Sequence, residues 1–276
     1  MSELGENRDN FCYRHPDRQS FILCQRCGRT ICPQCSTQAA VGVHCPECVK
    51  EARANAPRRQ PANIRAARSL RNNPDRPIVT YAIIALCVVV YLGQFILGDA
   101  LTAWLTFWAS AAFSQPWRIV TSLFAHGSPL HLLSNMFSLF VIGRMLEPAL
   151  GRIRYFALFL VSGIGGLAAV ALVVPSNPVL GASGAIFGML GALLVLIRRF
   201  GGNATQILVI VGINLVIGFI VPGVAWQAHV GGFLIGAALT AVFVRTRNEK
   251  QRGIQVAAAA GIAIALIAVI GISQSF

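Results

Sequence analysis

Seven apolar stretches, each close to the ~20 residues that a helix needs to cross the hydrocarbon core of a bilayer, fill most of the chain after residue 77. Inside a bilayer the backbone must satisfy its own hydrogen bonds, so these stretches are expected to be helices. The composition agrees, because 55% of the residues are hydrophobic and only 12% are charged. The sequence therefore predicts an all-α polytopic membrane protein with spans at residues 78–98, 131–147, 154–174, 182–198, 205–221, 227–244 and 255–272.

Basic residues predict the orientation of these spans. Of the 23 Lys and Arg residues, 12 lie in residues 1–72, and most of the others flank alternate ends of successive spans. The positive-inside rule then predicts a cell-membrane protein with a cytosolic N-terminus and an extracytoplasmic C-terminus. The net charge of +13 is also typical of nucleic-acid binding, but attraction to the lipid bilayer is the simpler explanation. No secretory signal peptide is expected, since no apolar run precedes Ile78.

The longest connection between spans, residues 99–129, is rich in Trp and Phe. We expect a loop that lies partly in the outer leaflet, although an ordinary aromatic belt is an equal alternative.

Residues 1–50 hold seven of the eight cysteines and predict a small cytosolic metal-binding domain. Pairs of ligands separated by two residues can hold an ion from a tight turn, and two such pairs complete a tetrahedral site. Eight ligands therefore predict two closed, structural Zn²⁺ sites. A disulfide framework is the alternative, against which the reducing cytosol argues. The four pairs are Cys12 with His15, Cys24 with Cys27, Cys32 with Cys35, and Cys45 with Cys48.

This arrangement resembles a B-box-like, cross-braced zinc finger. The resemblance implies that the first and third pairs share one ion and that the second and fourth pairs share the other. Zinc fixes a fold without fixing a role, so a protein partner and dimerisation stay open, and nucleic acid is disfavoured. Residues 51–76, rich in Arg, Ala, Asn and Pro, are expected to be a basic flexible linker to the membrane domain at residues 77–276.

Polar side chains in three of the spans form a candidate site: His131 and Asn135 in the second span, Ser183 in the fourth and His229 in the sixth. Ser183 lies in Gly181-Ala182-Ser183-Gly184, and His229 lies in the sixth span. Two pairs of glycines spaced by four residues would let these two helices approach closely and bring the hydroxyl and the imidazole within hydrogen-bond reach. Taken singly, a serine in such a helix more often bonds its own backbone. The glycines are Gly184 and Gly188 in the fourth span and Gly232 and Gly236 in the sixth.

A string of motifs over roughly residues 77–276 resembles the rhomboid family of intramembrane serine proteases. The string is Trp117-Arg118, His126, His131, Asn135, the Gly-x-Ser-Gly at 181–184, Ala228-His229, Gly232 and Gly236. The resemblance implies a six-helix core, to which the seventh span is an addition. It also implies a catalytic dyad, with Ser183 as nucleophile and His229 as general base, and no cofactor for catalysis.

Further roles also come from the resemblance. It implies that His131 and Asn135 form an oxyanion hole with the backbone amide of Ser183. The structural support is expected from Trp117, Arg118, His126 and Glu147. The substrates would be transmembrane segments of other proteins, cut near the extracytoplasmic face.

A dyad suits this chain, because no buried carboxylate is expected as a third member: Asp99 lies at a span end, while Glu147 and Glu249 lie toward the cytosolic side. The main alternative is a proteolytically inactive relative that binds membrane clients. A transporter would favour inverted repeats and ionisable groups at the midplane, which are not evident. A zinc-finger regulator with a mere membrane anchor would not need seven spans.

Overall fold

The structure is a computed structural model that describes residues 10–39, 41–55, 76–221, 223–246 and 248–273. The chain divides into two compact units, Met1–Ala66 and Ala67–Phe276. The domain boundaries at residues 50 and 76 stay predictions. Helix α1 (Pro46–Ala54) runs past the first of them, and residues 56–75 of the predicted linker lie outside the described residues.

The N-terminal unit consists of short hairpins followed by α1. Strand β1 (Phe11–Cys12) pairs antiparallel with β2 (His15–Gln19), and β3 (Thr37–Gln38) pairs antiparallel with β4 (Val43–His44). Among the described residues of this unit, the buried hydrophobic cluster contains Ile31 and the cysteines, and no other apolar side chain in it is fully buried. Because a small domain with so little apolar surface folds poorly alone, the cysteine side chains themselves occupy the place of a core.

Helices make up the membrane unit. In chain order they are α2 (Ile78–Leu97), α3 (Asp99–Leu105), α4 (Arg118–Thr121), α5 (Pro129–Leu150), α6 (Arg152–Val173), α7 (Ser183–Arg199), α8 (Thr205–Ile220), α9 (Trp226–Arg245) and α10 (Arg252–Ile272). All except α3 and α4 coincide with the seven predicted spans to within three residues. Five of the described helices are long and apolar enough to cross a bilayer, whereas α7 and α8 have 17 and 16 residues. The predicted all-α polytopic fold is confirmed.

The connection at residues 99–129 is more ordered than the predicted loop. It contains α3, a 3₁₀ turn at Ala109–Ala111 and α4. These elements could not be predicted from the sequence, because they are only one or two turns long and a helical period of apolar residues needs a longer stretch to be visible.

Helix α7 lies in the interior of the membrane unit, with 11 of its residues buried. Helix α9 packs on it backbone to backbone. A Cβ added to Gly232 would lie 1.9 Å from the carbonyl oxygen of Gly184, and one added to Gly236 would lie 2.1 Å from that of Gly188. The two contacts follow the same order along both helices, so α7 and α9 are parallel and begin at the same face of the membrane unit.

Helix α10, which corresponds to the seventh predicted span, is tied to other helices near its start by Gln255. The Gln255 side chain accepts a hydrogen bond from Arg154 Nε at 2.8 Å and donates one to the carbonyl of Thr246. These bonds join α10 to the start of α6 and to the end of α9.

Candidate functional site

Ser183 is the first residue of α7, at the point where an irregular segment turns into the helix. Gly181 before it has φ +121°, a conformation that favours glycine. The first helical hydrogen bond is donated by the amide of Ile186 to the carbonyl of Ala182, at 3.0 Å. The amides of residues 183–185 therefore precede the helical ladder and have no acceptor within it. They point positive charge at the space beside the serine.

The connection at residues 99–129 holds the segment before Ser183 through backbone hydrogen bonds. Phe107 and Val179 exchange two backbone hydrogen bonds, of 2.9 and 3.0 Å, and the amide of Gly181 donates to the carbonyl of Ser122 at 2.8 Å. Phe107 is fully buried. The connection at residues 99–129 thus fixes the approach of the backbone to the serine.

His229 lies in the first turn of α9 and is 7% exposed. Its ring stacks on Phe187, with ring centroids 4.0 Å apart and planes 3° apart. Phe187 is one helical turn after Ser183 and shares its helix face. A Cβ added to Gly184 would lie 3.4 Å from the carbonyl oxygen of Ala228, directly before His229. The imidazole therefore lies on the helix face that bears the serine.

The hydroxyl of Ser183 and the imidazole of His229 are not hydrogen-bonded to each other within the described part of the chain. The buried Nδ1 of His229 also lacks a hydrogen-bond partner there. Hydrogen bonds of this kind are often long in a free enzyme and shorten once substrate is bound.

His131 and Asn135 lie one turn apart at the start of α5. A Cβ added to Gly181 would lie 2.7 Å from Nε2 of His131, so the imidazole abuts the segment that leads into Ser183. Asn135 is buried and donates from Nδ2 to the carbonyl of His131 at 2.8 Å. This bond uses one of the two N–H groups of the Asn135 amide and leaves the other for a ligand.

Arg118 and Trp117 lie in the connection at residues 99–129. Arg118 donates to the carbonyl of Thr106 at 2.6 Å, and also to the carbonyl of Ala103 and to the side chain of Gln115. Trp117 stacks on Trp104 with ring centroids 5.3 Å apart. Both side chains bind segments of the connection to each other.

His126 packs against His131, and its backbone is held by Gln94, a residue that the sequence analysis did not single out. Gln94 accepts from the amide of His126 at 3.0 Å and donates to its carbonyl at 3.1 Å. The His126 ring meets that of His131 edge to face, with centroids 5.1 Å apart. The presence of a single glutamine in the first apolar span could have indicated this contact, because a buried amide side chain needs polar partners.

The burial of Glu147 contradicts the expectation that no carboxylate is buried among the spans. Glu147 is 1% exposed, so a buried carboxylate does exist in the membrane unit. It accepts hydrogen bonds from the amides of Val79 and Thr80, at 2.9 and 2.8 Å, and from the Thr80 hydroxyl. Glu147 thus caps the start of α2. It lies 16 residues after His131 on one helix, about 24 Å along the axis, and cannot serve as a third catalytic member.

The cysteine-rich unit brings the ligand pairs together in two clusters, within each of which the ligand atoms all lie within 4.8 Å of one another. The first and third pairs form one cluster and the second and fourth pairs the other, which is the grouping that the B-box resemblance implies. The clusters are Cys12, His15, Cys32 and Cys35, and Cys24, Cys27, Cys45 and Cys48.

Distances between the ligand atoms fit a tetrahedral ion. The Nδ1 atom of His15 lies 3.8, 3.5 and 3.4 Å from the sulfurs of Cys12, Cys32 and Cys35, and the sulfurs of Cys27 and Cys45 are 3.7 Å apart. Zinc bonds of about 2.0–2.1 Å to nitrogen and 2.3 Å to sulfur, at tetrahedral angles, require separations of roughly 3.5–3.8 Å between ligand atoms. A hydrogen bond from Arg29 Nε at 3.3 Å favours the Cys27 thiolate and lowers the pKa of that thiol to about 6.

Part of this chain is similar in sequence to known proteins. Residues 114–246 match the family model described as the rhomboid domain. "RHOMBOID-like protein 4" from Arabidopsis thaliana is 39% identical over 132 residues, which are 45% of this chain and 33% of that protein. "Rhomboid protease GluP" from Bacillus subtilis (strain 168) is 34% identical over 175 residues, 58% of this chain and 34% of that protein.

"Putative rhomboid protease YdcA" from the same bacterium is 29% identical over 184 residues, 63% of this chain and 92% of that protein. This chain spans about a third to a half of the length of the plant relatives that it matches.

Proposed function

We propose that this chain, which carries a rhomboid domain at residues 114–246, is an intramembrane serine endopeptidase that acts through a Ser183–His229 dyad. One observation carries the proposal: the imidazole of His229 stacks on Phe187, one turn after Ser183, where three backbone amides at the start of α7 have no helical acceptor. A nucleophile, a base and a set of anion-binding donors thus meet at one helix start.

The chemistry follows from these positions. His229 takes the proton of the Ser183 hydroxyl as the oxygen attacks the scissile carbonyl carbon, and a tetrahedral oxyanion forms. The amides at the start of α7, with His131 and Asn135 beside them, stabilise that charge. His229 then gives its proton to the leaving amine as the peptide C–N bond breaks. A water molecule attacks the acyl-enzyme and returns the serine to its starting state.

The proposed substrates are transmembrane segments of other membrane proteins. A helix in lipid hides its carbonyls in its own hydrogen bonds, so the segment must unwind locally before attack, and Gly or Pro near the scissile bond makes unwinding easier. Arginines flank the ends of α7 and α9 that are remote from the site, in the last turns of these helices. With a cytosolic N-terminus this puts Ser183 near the extracytoplasmic face and the C-terminus outside.

In the N-terminal unit we propose two structural Zn²⁺ ions, each with four protein ligands. Zinc would supply no chemistry to proteolysis there, because a closed tetrahedral site leaves no position for substrate. Its contribution would be to the fold, since the ligands replace the missing apolar core.

A proteolytically inactive, client-binding protein is the alternative function. Fluorophosphonate labelling of the purified full chain in detergent separates the two, since only an activated serine reacts. We expect labelling of the wild type and none of Ser183→Ala or His229→Ala. Cleavage of a reconstituted transmembrane reporter should follow the same order. Equal labelling of wild type and Ser183→Ala would sink the protease proposal and leave the client-binding alternative.

A further inference from the structure

Helix α8 packs on the rest of the membrane unit through one narrow face, and Asn214 lies in the middle of that face. Of the 16 residues of α8, all within the described part of the chain, two are buried, Val211 and Gly218. Asn214 follows Val211 by three residues and precedes Gly218 by four, so the three residues share a helix face. Asn214 is half-buried. Its amide is therefore directed toward the membrane unit.

Both buried residues of this face lie against the surroundings of His229. Val211 belongs to a buried cluster that includes Phe187 of α7, and the Phe187 ring stacks on that of His229. A Cβ added to Gly218 would lie 2.9 Å from the Cβ of Trp226, which precedes His229 by three residues. The centre of the face is thus held between two contacts that each adjoin the proposed base.

The direction of α8 brings Asn214 near the depth of Ser183. A short connection joins the end of α7 to the start of α8, so α8 runs back toward the face at which α7 begins. Asn214 lies three residues beyond Val211, ~4.5 Å nearer that face, and Ser183 lies four residues before Phe187, ~6 Å nearer it. A substrate chain that extends from the serine toward α8 therefore meets the Asn214 amide.

The Asn214 amide has hydrogen-bonding groups to spare. Its Nδ2 donates to the carbonyl of Ile210 in the same helix, at 2.8 Å. The second N–H and the Oδ1 atom have no partner among the described residues. Polar groups are costly to leave unpaired among apolar side chains, so an amide at this depth in a membrane helix indicates a function.

We propose that Asn214 binds the backbone of the substrate's transmembrane segment beside the scissile bond, an inference that rests on the proposed function. The segment must unwind before Ser183 can attack, and unwinding frees backbone N–H and C=O groups that lipid cannot satisfy. The Asn214 amide offers one donor and one acceptor, which complement a peptide group. Such a contact selects segments by their ability to unwind and not by a particular side chain.

The test is cleavage of a synthetic transmembrane peptide by the full chain in proteoliposomes. Asn214→Leu keeps the approximate size of the side chain and removes the amide. It should raise KM about 5- to 30-fold with little change in kcat, because the contact is made equally in the bound substrate and in the transition state. Asn214→Gln keeps an amide and should recover part of the loss. Val216→Leu is the matched control, since Val216 is 56% exposed on the opposite face of α8.

A second measurement asks whether the contact is made to the substrate backbone. Single peptide bonds of the synthetic substrate near the scissile bond are replaced by esters, which removes the N–H and weakens the carbonyl as an acceptor. With the wild type, an ester at the contacted position should raise KM as much as Asn214→Leu does. The same ester should have no further effect in Asn214→Leu, whereas esters at other positions should add to the substitution.

Fluorophosphonate labelling separates this inference from the proposed function. A wild type that is not labelled contradicts the protease proposal and this inference with it. If the wild type is labelled, an unchanged KM in Asn214→Leu overturns the role of Asn214 alone, as does an equal rise of KM in Val216→Leu. An ester scan in which every position adds to Asn214→Leu overturns it too, because the amide would then act on the fold of α8. Asn214→Ala replaces Asn214→Leu if the latter does not fold.

Discussion

Phe187 presents the face of its ring to His229, at a centroid distance of 4.0 Å with nearly parallel planes. The imidazole has no partner for its buried Nδ1 within the described residues, so this stacking contact is what fixes the plane of the base. We predict that Phe187→Leu, which keeps an apolar side chain but removes the flat face, lowers kcat about 10- to 100-fold with little change in KM, because a misplaced base mainly affects the chemical step. Phe187→Tyr keeps the ring and should restore kcat. Reporter cleavage in proteoliposomes measures both. A loss in Phe187→Leu that Phe187→Tyr shares would contradict a positioning role.

Asn135 and Ser134 offer a matched pair at the start of α5. Both side chains donate to the carbonyl of His131, at 2.8 and 3.0 Å, but Asn135 is buried whereas Ser134 is exposed. We predict that Asn135→Ala lowers turnover about 10²- to 10³-fold, as expected for the loss of one oxyanion donor. Ser134→Ala should leave turnover close to wild type. Equal losses in the two variants would assign the effect to the helix carbonyl and not to a transition-state bond.

Single residues were the level at which sequence was most informative about chemistry and least informative about contacts. The Gly-x-Ser-Gly motif and the histidines could be singled out because polar groups in apolar spans need a reason. The residues that contact them could not be predicted from the sequence. Gln94 bonds a residue 32 positions away, and the stacking of Phe187 on His229 follows only from the packing of α7 on α9. The burial of the Glu147 carboxylate was missed for the same reason, since the groups that donate to it lie at the start of another helix.

At the level of elements, glycines set the distance between α7 and α9. We predict that Gly232→Ala lowers the midpoint of thermal unfolding in detergent, because the new Cβ would lie 1.9 Å from the Gly184 carbonyl oxygen and only backbone movement can relieve the clash. Overpacking of this kind costs typically ~1–3 kcal/mol or more. Labelling of Ser183 should fall as well, since the same contact brings together the helices of Ser183 and His229.

The control for this prediction is Gly212→Ala in α8, where a new Cβ meets nothing within 4 Å. That variant should unfold at or slightly above the wild-type midpoint, because alanine favours a helix over glycine. A similar drop in both variants would show that helix propensity, and not the approach of the two backbones, dominates.

Helices α5 and α2 are joined through Glu147, whose carboxylate receives the first amides of α2. Glu147→Gln keeps the size of the side chain but loses the charge that the start of a helix favours, and one of its acceptor oxygens becomes a donor. We predict a loss of about 0.5–2 kcal/mol in stability, the usual range for a helix cap. Thermal unfolding in detergent would show it as a lower midpoint. At a temperature where the variant is folded, fluorophosphonate labelling should match wild type. A selective loss of labelling with an unchanged midpoint would instead connect Glu147 to the chemistry.

For the whole molecule, the hydropathy of the chain determined the seven long helices, because a bilayer leaves the backbone no alternative to helices. The way in which the four Cys/His pairs group into two clusters could be predicted only from the B-box resemblance, since spacing alone permits several groupings. Neither hydropathy nor spacing could predict which helix lies innermost. That follows from the glycine contacts of α7, which are properties of helix pairs.

Metal removal should unfold the N-terminal unit and leave the membrane unit folded. Among the described residues, the N-terminal unit buries little apolar surface besides its cysteines and Ile31, whereas the membrane unit has its own extensive apolar core, and both clusters of metal-ligating side chains lie outside it. We predict that a strong chelator releases two zinc ions per chain and makes the N-terminal unit sensitive to protease, while fluorophosphonate labelling of Ser183 persists. Cys32→Ser should lower the zinc content of the purified chain toward one ion, because it removes a ligand from one cluster only. Cys87→Ser, in the first membrane helix, should leave it at two. Zinc content that stays at two in Cys32→Ser, or labelling that disappears as the metal leaves, would mean that the ions do not serve as closed structural sites in a separate unit.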